Sequence, residues 1–208
     1  MIGLGELMPH GQGYKLSDVH MLTPIMEIVR QHNLLVLSHC SEPVGHLYPG
    51  KGDVSLQDIV AFLTAFPDIR FIAAHWGGGL PFYSLMPEIQ RITTHVWYDT
   101  AATIYLYRNT IFPTVAKLVG ADRILFASDY GLLRQKRIIN HIKTSGLDAA
   151  SLELVLGRNA QNLLLQYPTV DRKNEENLTP PQADPDMRHA NKTMPTLSSD
   201  SALGLHEC

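Results

Sequence analysis

The chain has 208 residues, of which 45% are hydrophobic, and 17 Lys and Arg against 20 Asp and Glu give a formal net charge of −3. That length suits one sizeable core, and the charge balance excludes the basic surface that nucleic-acid binding demands. No apolar run approaches the length needed to cross a bilayer, the N-terminus has no basic stretch leading into an apolar one, and only two cysteines occur, Cys40 and Cys208. No membrane span, signal peptide or disulfide framework is therefore expected, and a reducing, cytoplasmic setting fits best.

Residues 2–7 read as a short strand interrupted by Gly3 and Gly5 and carrying Glu6. After a loop at 10–13, residues 16–32 have helical spacing, with Val19, Leu22, Ile25, Met26 and Val29 on one face and Ser17 as N-cap. Asn33 ends this helix, and 34–39 is the next strand. Residues 41–54 hold Pro43, Gly45, Pro49, Gly50 and Gly52 and form a long loop over the strand ends, where lids and binding loops occur. Ser55 caps a helix reaching Phe66, and Pro67-Asp68 turns the chain into a strand over 71–75. Residues 81–94 read as a helix kinked or broken at Pro87. A strand follows at 96–100, then a mostly helical stretch at 107–119 containing Pro113, and a strand at 124–129. Helices are expected at 133–144, 149–156 and 158–166. Beyond Tyr167 the composition turns to Pro, Asn, Asp, Thr and Ser, so 1–167 is expected to be the folded domain and 168–208 a disordered tail. Strands alternating strictly with helices imply an α/β fold with a parallel sheet and helices packed outside it.

Three of these strands end on residues that can do chemistry: Ser38-His39, Ala74-His75 and Ser128-Asp129. Parallel strands bring their C-terminal ends to one rim, where α/β proteins bind ligands. Gly77-Gly78-Gly79 follows His75 and leaves space in front of its ring. Two imidazoles and a carboxylate converging on a rim suit zinc or a similar divalent ion. Glu6, also near a strand end, is either a further ligand or a carboxylate paired with a basic neighbour. Asp99 either orients a histidine or bonds local backbone. His10 and His46 lie in rim loops within reach of a substrate. The segment Gly-His-Leu-Tyr-Pro-Gly-Lys-Gly (45–52) approaches the phosphate-loop pattern, but Gly52 replaces the Mg²⁺-binding hydroxyl residue. Lys51 is kept only as a contact for an anionic substrate, and His46 and Trp76 join it as substrate-binding candidates. Cys40 reads as a buried thiol.

Five pieces together carry a resemblance: Gly-Leu-Gly-Glu-Leu (3–7), Val-Leu-Ser-His (36–39), Ile-Ala-Ala-His-Trp-Gly-Gly-Gly (72–79), Tyr-Asp-Thr-Ala (98–101) and Ile-Leu-Phe-Ala-Ser-Asp-Tyr (124–130). In this order and spacing the chain resembles the amidohydrolase-related metal-dependent hydrolases, in the branch that includes amino-carboxymuconate-semialdehyde decarboxylase. The resemblance implies strands four to eight of a (β/α)₈ barrel with a divalent metal, usually zinc, at its rim. It implies metal ligation by His39 and Asp129, a ligand at Glu6, and a catalytic acid/base or further ligand at His75; Asp129 would also hold the attacking water. The family's first-strand His-x-His pair has no counterpart in this sequence, and the folded part is shorter than the roughly 250 residues of such barrels. Three readings follow. One is hydrolysis of a small ester, amide or lactone by metal-activated water, and another is non-oxidative decarboxylation on the same scaffold. The third is an inactive chain that acts only by association across its open sheet edges, with another copy or a complementing chain.

Overall fold

Five short strands, β1 (Gly3–Leu7), β2 (Leu35–Ser38), β3 (Arg70–Ala73), β4 (Val96–Asp99) and β5 (Ile124–Leu125), form one parallel sheet in chain order. This is a computed structural model, and the residues it describes are 1–167; the expected disordered tail lies outside them. The register aligns Val36 with Phe71, Phe71 with Val96, and Tyr98 with Ile124. The strands are rich in β-branched, aromatic and leucine residues, which pack well on a pleated surface.

Alternation along the strands divides the apolar residues between two faces. Val36, Phe71, Ala73, Val96, Tyr98 and Ile124 join one large core with Met26, Phe62, Phe112, Val115 and Ile138 of the covering helices. Leu35 and Leu125, with Ile72 and Trp97 beside them, form a second cluster with Leu163 and Tyr167 of the C-terminal segment. Asn159 anchors that segment, its Nδ2 donating to the carbonyls of Ala121 (2.7 Å) and Ile124 (2.8 Å) at the start of β5.

The main covering helices are Val19–Gln31, Leu56–Ala65, Ile111–Val119 and Gln135–Lys143. Ser55 caps the second of these: its Oγ accepts from the Asp58 N–H at 3.1 Å. Ser17 does not cap the first. Asp18 occupies the N-cap, but its carboxylate accepts from the Lys15 N–H (2.8 Å) rather than from the helix, and Ser17 Oγ donates to Asp58, tying one helix to the next. Leu22, Met26 and Val29 are buried, whereas Ile25 is 44% exposed and lies with Met21 and Ile28 on an outer apolar stripe. Of the two outcomes expected at Pro87, a kink or a break, the chain takes the break. A 3₁₀ turn at Leu80–Tyr83 ends before it, and Pro87 opens a separate helix, Pro87–Ile92, at a position where a missing N–H costs nothing. The expected strand at 124–129 pairs only over Ile124–Leu125. Among the described residues no helix is long and apolar enough to cross a membrane. The sheet is thus a contiguous part of a β/α barrel wall, with all five C-terminal strand ends on one rim.

Candidate metal centre

The chain leaves β3 at Ala73 and does not carry His75 on the strand. Residues 75 to 79 all have positive φ: 54° at His75, 59° at Trp76, 60° at Gly77, 59° at Gly78 and 91° at Gly79. A left-handed turn costs an L-residue about 1–2 kcal/mol, so His75 and Trp76 need bracing while the glycines do not. Asp99, at the end of β4, supplies the brace. Its Oδ1 accepts from the backbone N–H of His75 (2.8 Å) and of Ala101 (3.0 Å). Asp99 therefore grips the backbone of His75, not its ring. Gly78 seats the turn against the chain leaving β2, where a Cβ would overlap the Ser41 carbonyl.

His39, just past β2, has a buried ring. Its Nε2 lies 2.9 Å from the Lys51 carbonyl oxygen, which only accepts, so Nε2 carries a proton. Nδ1 is left facing Glu6 Oε1 at 3.2 Å. The same carboxylate oxygen lies 3.8 Å from His75 Nε2, and the two imidazole centroids are 4.9 Å apart. One donor atom from each of Glu6, His39 and His75 falls within 4.8 Å of the others. His75 Nδ1 is buried and has no hydrogen-bond partner among the described residues.

The electrostatics match this geometry. Hydrogen bonding to His39 and then His75 outweighs burial and holds the Glu6 carboxyl at about 2. Burial opposes charge on His75, but Glu6, Asp99 and Asp129 outweigh it and lift the imidazole to about 9. Burial pushes the Asp99 carboxyl up. A cluster that concentrates negative charge on two imidazoles gathers a cation, and two nitrogens and a carboxylate oxygen are donors that a divalent ion accepts. The residues present fit such an ion.

The three residues line a cavity of about 490 Å³ together with Asp129 and His46, and Met8, Tyr105, Leu106 and Leu132 make its wall largely apolar. Asp129 faces this cavity with φ of 61° but stands outside the three-residue cluster. His46 reaches the wall, tilted against Tyr48 with centroids 5.4 Å apart.

Two candidates are placed elsewhere. Lys51 is not on this wall: its Nζ donates to the carbonyls of Val44 (2.8 Å) and His46 (3.3 Å), so the ammonium ties the 41–54 loop together. Its contribution to the site is its own carbonyl, which fixes the tautomer of His39. Trp76 is fully buried on the helix side of the sheet, edge-on to Phe112 with centroids 5.1 Å apart, and its Nε1–H donates to Thr103. Cys40 is a buried thiol; burial, then the Asp99, Glu6 and Glu42 carboxylates, push its pKa up, which removes it as a nucleophile.

His10 turns out to pack on the far side of His39, centroids 4.9 Å apart, admitted by Gly52, where a Cβ would overlap its ring. His10 sits in a short helix, Pro9–Gln12, where a loop is expected, and nothing in the sequence signals the contact.

A sequence model of the amidohydrolase family, described as Amidohydrolase, matches residues 3–165. No protein of curated function matches the sequence. Among solved structures the chain is similar to a dihydroxybenzoic acid decarboxylase from Polaromonas sp. JS666 with bound manganese and the inhibitor 2-nitroresorcinol. That match has a TM-score of 0.58 and 19% identity, over 70% of this chain and 54% of that one. An uncharacterized TIM-barrel protein from Bordetella bronchiseptica has a TM-score of 0.56 and 19% identity, over 73% and 52%. The 5-carboxyvanillate decarboxylase of Sphingomonas paucimobilis has a TM-score of 0.54 and 14% identity, over 67% and 52%. At such identities these likenesses speak for the barrel fold alone, and the chain spans about half the length of each.

Proposed function

The chain belongs to the amidohydrolase family, and from that premise we propose that Glu6, His39 and His75 hold a divalent metal ion, zinc or manganese, in a site that hydrolyses a small ester, amide or lactone. The observation that carries this reading is the convergence of three donor atoms within 4.8 Å at the ends of β1, β2 and β3. Of the two roles open to His75, ligation is favoured because Nε2 faces the shared Glu6 oxygen. The ion, when bound, supplies Lewis-acid chemistry, polarising a substrate oxygen and lowering the pKa of water.

The remaining steps belong to the chain. The Lys51 carbonyl holds the His39 Nε2 proton and so presents Nδ1 to the ion. Asp129, across the cavity, would add a further donor to the ion, and it takes the proton of the attacking water and returns it to the leaving group. His46 and Tyr48 line the cavity beside Met8, Leu106 and Leu132, whose apolar side chains suit a small apolar substrate.

A second reading is favoured by that apolar wall and by the aromatic-acid decarboxylases among the similar folds. In it the substrate is a small aromatic acid, the bond to its carboxylate breaks, carbon dioxide leaves, and Asp129 delivers a proton to the vacated carbon. The open outer edges of β1 and β5 support association with a copy or a complementing chain, which sedimentation of the 208-residue protein over a tenfold concentration range tests.

The deciding experiment is elemental analysis of the purified chain, with His39→Ala and His75→Ala alongside, followed by a panel of aryl esters, lactones and hydroxybenzoates. Near-stoichiometric metal lost in both variants is expected, with turnover on one substrate class choosing between the readings. A folded protein that takes up no zinc or manganese overturns both.

A further inference from the structure

The segment that carries Asp129 is not held by strand pairing. The β4–β5 ladder stops at Asp99 and Leu125, with one more backbone bond from the Thr100 N–H to the Leu125 carbonyl at 3.1 Å. Beyond it a side chain takes over. Thr100 Oγ1 donates to the Ala127 carbonyl at 2.8 Å and accepts from the Ala127 N–H at 2.9 Å. One hydroxyl thus satisfies both backbone groups of a residue two positions before Asp129, as a strand neighbour would.

The same threonine is tied to the other side of the site. Its carbonyl accepts from Thr103 Oγ1 at 2.6 Å, and that hydroxyl accepts from Trp76 Nε1–H at 2.9 Å. Trp76 follows His75 in the left-handed turn. Thr100, Thr103 and Trp76 are all fully buried. Each hydroxyl both donates and accepts along the chain, so neither is free to turn to another partner. A continuous path of hydrogen bonds, buried from Trp76 through Thr103 to Thr100 and half-buried at Ala127, therefore connects the turn bearing His75 to the segment bearing Asp129. Both ends need such support, because His75 (φ 54°) and Asp129 (φ 61°) are non-glycine residues in the left-handed region.

We infer that Thr100 and Thr103 are positioning residues that set where Asp129 stands relative to the Glu6–His39–His75 cluster. This rests on the metal-site reading above. It accounts for the early end of β5: a strand continued to residue 129 would fix Asp129 by its own pleat, whereas a hydroxyl clamp at Ala127 lets the chain turn and aim the carboxylate into the cavity. Burial alone would be served equally well by valine at position 100, which has nearly the same shape but neither donates nor accepts.

The test uses the full chain with Thr100→Val, Thr100→Ser, Thr103→Val and Asp129→Asn, measured in two ways. Cobalt(II) titration reads affinity and the visible absorption of the bound ion. Thr100→Val is expected to weaken cobalt at least tenfold and to change the spectrum as Asp129→Asn does. Thr100→Ser is expected to stay within twofold of the unsubstituted protein, and Thr100→Val added to Asp129→Asn to have little further effect. Amide exchange by mass spectrometry needs no metal. It is expected to rise in both 75–79 and 126–133 for Thr100→Val and Thr103→Val and to stay unchanged for Thr100→Ser. If the unsubstituted protein binds no cobalt, the metal reading fails and the exchange data alone decide the brace. Unchanged exchange in both segments, or cobalt binding by a folded Thr100→Val protein like that of the unsubstituted chain, overturns the inference. Should Thr100→Val fail to fold, Thr103→Val carries the same two measurements.

Discussion

Replacing Asp99 by alanine isolates what the left-handed turn at His75 requires. The substitution removes the acceptor of two backbone donors, the N–H groups of His75 at 2.8 Å and Ala101 at 3.0 Å, behind a residue only 8% exposed. A buried donor left without a partner costs about 1–3 kcal/mol, so two cost about 2–6 kcal/mol. The alanine also relieves the burial of a carboxylate whose charge is opposed by its surroundings, which offsets part of this. A net loss of about 2–4 kcal/mol is expected, a large share of the ~5–15 kcal/mol that stabilises an ordinary domain. Asp99→Asn keeps an oxygen in the same place and is expected to cost about 1 kcal/mol or less. Urea unfolding of the 208-residue chain, followed by far-ultraviolet circular dichroism, separates the two. With a slope of about 2 kcal/mol per molar, the alanine midpoint should fall by about 1–2 M and the asparagine midpoint by well under half that. Equal midpoints for the two variants, or an alanine variant as stable as the unsubstituted protein, would refute the idea that Asp99 acts by accepting these two bonds.

Three further outcomes follow from the site. Because His75 is lifted to about 9 and must lose its proton to ligate, apparent zinc affinity should rise about tenfold from pH 7 to pH 8, with proton release visible in calorimetry across buffers of different ionisation enthalpy; a flat affinity over that unit removes His75 from the ligand set. In the metal-free protein, the raised His75 contributes stability in full below its ordinary 6.5 and loses it as pH climbs through about 9. The lowered Glu6 contributes in full above its ordinary 4.5 and loses it as pH falls through about 2. The pair is therefore worth most between about pH 4.5 and 6.5, and Glu6→Gln should flatten the alkaline fall of the thermal midpoint; an unaltered alkaline limb would count against the pairing. Lys51→Met leaves the carbonyl that holds His39 but removes the ammonium bonded to Val44 and His46. Limited proteolysis should then cut within 41–54 several-fold faster while zinc affinity changes less than threefold, and a large affinity loss with an intact loop would reverse that assignment.

Much of the fold is written locally. The continuous apolar runs at 34–37, 71–74 and 96–98 mark strands, the helical spacing of Leu22, Met26 and Val29 marks a covering helix, and Ser55 marks the cap of the next one. The strand ends bearing His39 and His75 can be found the same way, because a parallel sheet sends them to one rim. What local patterns cannot express is contact across long sequence separations. Asp99 holds His75 from 24 residues away, and Thr100 holds Ala127 from 27. Neither bond leaves a periodic trace, so the strand through His75 and the strand through Asp129 are both read too long. Lys51 misleads for a related reason: composition reports its charge, while the site uses its carbonyl. Trp76 was within reach of sequence reasoning, since neighbouring residues leaving a strand point to opposite sides and His75 already claims the cavity. The physical lesson is one of division. The strands deliver residues to the rim by repeat geometry, and single buried acceptors and hydroxyls then turn them out of that repeat into the cavity. A site built this way is placed by its backbone pattern but aimed by a few side chains far away in sequence, and substitutions at Asp99 and Thr100 should therefore disturb metal binding more than their distance in sequence from Glu6 and His39 would imply.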